Sequence, residues 1–124
     1  MDILVGTDKY LIIGGMGKIY FYDVTENYEL ESKELPLSSS KITYIFKIHD
    51  QFLLASTNKR SILQLVIKEN GTKEIIEKYI TSKEISYILM VNFEIIAISV
   101  RDEIDILSIS HKEEMKNIKD CILF

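Results

Sequence analysis

The sequence predicts an all-β fold of about three four-stranded antiparallel units, and three observations point there. Twenty-two of the 124 residues are Ile, twelve more are Tyr or Phe, and Pro occurs once; β-branched and aromatic side chains suit a pleated, half-buried surface. The apolar runs are short and separated by turn residues, as strands are. The chain also resembles itself when slid by 42 to 43 positions, a period that marks stacked supersecondary units. With 47% hydrophobic and 27% charged residues, this length fits one globular unit spanning residues 1–124.

Three copies emerge. Ile42-Thr43-Tyr44-Ile45 aligns with Ile85-Ser86-Tyr87-Ile88. At the same shift Gln51-Phe52-Leu53-Leu54-Ala55-Ser56 aligns with Glu94-Ile95-Ile96-Ala97-Ile98-Ser99, and Lys9-Tyr10-Leu11-Ile12-Ile13-Gly14 fills that slot in the first copy. A third strand follows a short polar turn in each: Ile19 to Val24, Ile62 to Ile67 and Ile104 to Ile109. A more polar fourth strand runs from Tyr28 to Leu37 and from Thr72 to Ile80, and alternation such as Glu29-Leu30-Glu31 predicts that it touches solvent. Asn70-Gly71-Thr72 reads as the turn between strands rather than as a glycosylation site. After Ser110 the pattern changes. Ser110-His111-Lys112-Glu113 has capping-box form, which predicts a short helix near 111–117 or a long connection before Ile118 to Phe124.

Four strands in about 42 residues are the repeat length and strand count of a β-propeller blade. The expected blades are 1–41, 42–84 and 85–124. Closed propellers have roughly four to eight blades, so three should form an incomplete ring whose end faces something else covers. Another protein subunit or a second copy of the chain would supply that cover.

Lys and Arg number 15 against 19 Asp and Glu, a net charge of −4, which argues against direct nucleic-acid binding. Cys121 has no partner for an internal disulfide and Met1 to Gly6 lacks a signal-peptide pattern, pointing to an intracellular setting. No apolar run is long enough to cross a bilayer; Ile95 to Val100 stops at Arg101, Asp102 and Glu103.

Tyr10 to Val24, with a Gly-rich turn and the aromatic-Asp pair Tyr22-Asp23, resembles the central hairpin of a WD40-type blade. Phe52 to Leu65, followed by Lys68 to Ile76, resembles the carboxy-terminal propeller of the three-propeller scaffold family. That family includes the large subunit of the cleavage and polyadenylation specificity factor, a branch-site splicing factor subunit and the damage-specific DNA-binding protein. Arg60, Ser61, Ile62 and Leu65 match the family pattern, whereas Thr57 stands where Asp is usual and Gln64 where Leu is usual. The resemblance implies a nuclear scaffold in RNA processing, DNA repair or ubiquitin transfer, with Arg60 in a partner-receiving turn made by Asn58, Lys59, Arg60 and Ser61. Glu84 stands near where that family's pocket has an aromatic residue.

Enzyme chemistry finds little support. Gly14-Gly15-Met16-Gly17-Lys18 lacks the spacing and the following helix of a phosphate loop, and reads as a left-handed hairpin turn. His49 and His111 have no metal-ligand spacing and are expected at exposed turns. Ser38-Ser39-Ser40 after Pro36 is a polar link between units, and Asp102, Glu103 and Asp105 read as a solvated turn. Tyr20, Tyr22, Tyr44 and Tyr87 are expected to pack between units. No cofactor or metal is expected. The expected function is a non-catalytic interaction scaffold; a generic cytosolic WD40-like adaptor and a propeller-based hydrolase are the rival readings.

Overall fold

The computed structural model describes residues 3–26, 28–92, 95–108 and 116–117. Twelve strands occupy them: β1 (Ile3–Gly6), β2 (Tyr10–Gly14), β3 (Lys18–Asp23), β4 (Leu30–Glu34), β5 (Ile42–His49), β6 (Phe52–Thr57), β7 (Ser61–Ile67), β8 (Lys73–Ile80), β9 (Ile85–Met90), β10 (Ile95–Val100), β11 (Glu103–Ser108) and β12 (Lys116–Asn117). There is no helix among the described residues. The helix expected near 111–117 falls on residues 111–115, which lie outside the described set, and on 116–117, which form a strand paired to β11 at Leu107 and Ser108. Ile118 to Phe124 and His111 also lie outside it.

The strands form three four-stranded antiparallel sheets, β1 to β4, β5 to β8 and β9 to β12, each an up-and-down meander. They form no closed ring. Every strand pairs only with its chain neighbours, because the turns are short. Gly17 and Gly71 take left-handed backbone (φ +72° and +90°) in two of those turns, which glycine adopts without steric cost. At Asn70-Gly71 the Asn70 Oδ1 accepts the Thr72 N–H at 3.0 Å, the expected turn.

Register carries the repeat into three dimensions. Ile3 faces Gly14, Tyr44 faces Ser56 and Tyr87 faces Ser99, so the first two strands of each sheet meet at equivalent points. The residue after the fourth strand behaves alike in two sheets. Leu35 N–H donates to the Gly17 carbonyl at 2.9 Å, and Thr81 N–H donates to the Arg60 carbonyl at 2.7 Å.

The two faces of a sheet can be named by chain order, forward toward the next sheet and backward toward the previous one. One core joins the forward face of the first sheet (Tyr10, Ile12, Ile19, Phe21) to the backward face of the second (Leu53, Ala55, Leu63, Leu65). The other joins the second sheet's forward face (Phe52, Leu54, Ile62) to the third sheet's backward face (Ile88, Ile96, Ile98, Leu107). The middle sheet is thus covered twice, and β6 and β7 are buried except at Val66. Gly14 permits the first of these contacts, since a Cβ there would lie 2.7 Å from Ile42 Cγ2.

Lys73, Lys78 and Asp105 depart from expectation, since all three are buried. Lys73, on a fourth strand predicted to face solvent, is buried and ion-paired with Glu31 of β4, its ammonium 4.5 Å from the centre of the Tyr10 ring. A cation over a π face and against a carboxylate recovers what burial removes. Burial, the largest influence, pulls the Lys73 pKa down, but Glu31 and Tyr10 outweigh it and leave it above the ordinary lysine value. Asp105, read as part of a solvated turn, is also buried: alternation along β11 turns it toward the middle sheet beside Ile98, its pair in register.

Candidate functional site

The turn Asn58 to Ser61 connects β6 to β7. Thr57 and Ser61 close its base with a buried hydroxyl pair at 2.7 Å. Asn58 Oδ1 accepts the Lys41 N–H at 2.8 Å, and its own N–H donates to the Lys41 carbonyl at 3.0 Å. That two-way bond ties the turn to the link between the first two sheets. Arg60 holds left-handed backbone (φ +65°), where a residue with a Cβ is uncommon. Its Nη1 donates to the Ser82 carbonyl at 3.0 Å in the link to the third sheet. Lys59, exposed at the tip, has its backbone N–H on Thr57 Oγ1 at 3.2 Å.

The four residues are consecutive in one turn, and two of them, Asn58 and Arg60, brace neighbouring links while Lys59 and Ser61 bond back to Thr57. The result is a turn tied to the links on both sides of the second sheet, with the exposed Lys59 at its tip. The Arg60 guanidinium is held by Ser82, so its nearest role is to fix the β8–β9 connection.

The opposite ends of the short strands hold a second group. Asp8, in the β1–β2 turn, and Asp50, in the β5–β6 turn, act on one another's titration: Asp50 holds the Asp8 pKa above the usual Asp value, while Asp8 and Lys47 hold that of Asp50 below it. Lys47 joins Asp50 at 3.0 Å. Asp8 and Asp50 border a crevice of about 250 Å³ that also touches Tyr10 and Lys68. His49 is exposed, accepts the Gln51 N–H through Nδ1 at 3.3 Å and lies against Phe52. Among the described residues no three His, Cys, Asp or Glu side chains gather as metal ligands would.

Asp23 explains the aromatic-Asp pair that ends β3. Its Oδ1 accepts the N–H groups of Glu26 (3.0 Å) and Thr25 (2.9 Å) and the Thr25 hydroxyl (3.2 Å). These bonds hold the carboxyl below the usual Asp value, backbone donation from Glu26 and Thr25 leading. The residue shapes the turn into the fourth strand.

Tyr20, Tyr22 and Tyr87, expected to pack between units, instead lie on the two remaining sheet faces, because no described sheet lies against those faces; their companions Leu11, Ile13, Leu30, Leu89 and Ile104 carried no such expectation. On the backward face of the first sheet the pairs Leu11–Tyr22 and Ile13–Tyr20 lie side by side, flanked by Leu30, 60% exposed. On the forward face of the third sheet Tyr87, Leu89 and Ile104 are 55% to 58% exposed. Neither core contains any of these side chains. The apolar doublets Leu11-Ile12 and Ile12-Ile13, which put Ile or Leu on both faces of β2, were the available signal.

No protein-family model matches the sequence, and no curated protein matches it.

Proposed function

We propose that the chain is a non-catalytic scaffold, an array of three propeller-like blades that presents fixed turns to other polypeptides and associates through its open blade faces. The observation that carries this reading is the pair of apolar sheet faces left uncovered at the two ends of an otherwise well-packed stack. Uncovered apolar patches of this kind mark association surfaces. Three meanders with equivalent registers, stacked forward face to backward face, agree with blades and with the 42-residue period. A braced turn with one exposed lysine suits recognition, because rigid presentation lowers the ordering cost of binding. The nuclear three-propeller family remains the family resemblance behind this reading.

A photo-crosslinking residue at Lys59, in cells making the chain, tests it. Discrete adducts with other polypeptides, reduced by a neighbouring Asn58→Asp change, are expected. An absence of adducts at Lys59 would overturn the turn's role as a partner surface.

A further inference from the structure

We infer that the two open faces cover one another in a pair of identical chains, joined head to tail so that six four-stranded units close one ring. This rests on the blade reading above. Within the chain both sheet-to-sheet contacts are forward face against backward face. The two faces left over are one of each kind, and a second copy brings to each the complement that its counterpart already has.

The match extends to residues. On the backward face, the Leu11–Tyr22 and Ile13–Tyr20 pairs of the first sheet stand where Leu53–Leu65 and Ala55–Leu63 stand in the second. On the forward face, Tyr87 and Leu89 stand where Tyr44 and Phe46 stand, as the shared register Tyr44–Ser56 and Tyr87–Ser99 requires. Tyr44 is already used at a seam. Its hydroxyl donates to the Ser86 carbonyl at 2.8 Å, and its ring meets the edge of Tyr87 with centroids 6.0 Å apart. Tyr87, 57% exposed, occupies the same position one sheet on, with its forward side open. A seam with the next copy continues the interface that joins the second sheet to the third.

Symmetry narrows the arrangement. Pairing like faces covers one open face per chain and leaves the other bare, whereas a head-to-tail pair covers all four faces through two equal seams. Six units also fall within the roughly four to eight that close a propeller ring.

Sedimentation equilibrium of the full chain at micromolar concentration tests the inference. The expected mass is about twice 14.4 kDa. Leu89→Lys on the forward face and Leu11→Lys on the backward face should each weaken the pair at least about tenfold, as loss of a central apolar contact does. Should Leu11→Lys fail to fold by circular dichroism, the exposed Leu30→Lys replaces it. Mixing a forward-face with a backward-face variant should restore dimer, because one seam joins two intact faces. A monomeric wild type, a dimer sensitive to one face only, an open polymer or a mixture that stays monomeric would each overturn it. None of those results bears on the Lys59 adducts, so the scaffold reading fails or stands separately.

Discussion

The middle sheet and the first sheet are built from the same four-strand unit, yet their second strands are buried differently. Phe52-Leu53-Leu54-Ala55-Ser56-Thr57 is buried at every residue, whereas Tyr10-Leu11-Ile12-Ile13-Gly14 alternates between buried and half-buried. Hydropathy alone does not separate them, since both are apolar on both faces. The difference is what lies against them: two sheets in one case, one in the other. An apolar strand with a single covered face is a surface prepared for a neighbour.

The sharpest way to break the comparison is to delete matched side chains. Leu54→Ala in the middle sheet should cost about 3 kcal/mol, the loss expected of a buried leucine with no room to collapse. Leu11→Ala in the dissociated chain should cost less than about 1.5 kcal/mol, since that side chain is half-buried. Urea unfolding at low concentration measures both, and equal losses would contradict two-sided against one-sided cover.

Next in size is the joint between these sheets. A Cβ at Gly17 would lie 2.6 Å from the Ser38 carbonyl oxygen, and its φ is +72°. Gly17→Ala should therefore cost about 2 kcal/mol, read as a lowered melting temperature. A neutral result would remove this turn from the joint.

A gain is expected at Gln64, inside the core between the second and third sheets. Among the described residues its buried amide nitrogen and oxygen have no hydrogen-bond partner, which costs stability because water satisfies both in the unfolded chain. Gln64→Leu should stabilise by about 1 kcal/mol, seen as a higher urea midpoint. Destabilisation would mean that the amide has a use the apolar contacts conceal.

The smallest effect concerns acid. The Asp23 pKa is lowered in the folded chain, so its contribution is complete above the unfolded carboxyl value and fades as pH falls through the folded one. The stability gap between wild type and Asp23→Asn should be widest near neutrality and close in acid. A gap independent of pH would assign the turn to shape alone.

Much of the architecture was legible along the chain. The second and third strands of all three copies lie within a residue of the expected ranges, because short apolar runs between turns have one good solution. Tyr44 and Tyr87 were expected at equivalent points, and their registers agree. The fourth strand of the first copy came out shorter, Leu30–Glu34 rather than Tyr28 to Leu37, since polar residues leave little to fix its ends. What stayed hidden depends on contacts across sheets. Lys73 is buried only because Glu31 and Tyr10 of another sheet meet it, and nothing near residue 73 announces them. Asn58 likewise finds its partner 17 residues back, at Lys41.

The strictly neighbour-to-neighbour pairing has a kinetic side. No strand waits for a partner from a distant part of the sequence, so loop closure is short throughout and each sheet can assemble as soon as its own four strands exist. During synthesis from the amino end, β1 to β4 would form first and hold their forward face bare until Leu53 and Leu65 emerge. Folding would then advance one sheet at a time, as in linear repeat proteins. In such a chain, loss of the last sheet would expose Leu54 and Ile62 without unpairing a single strand of the other two.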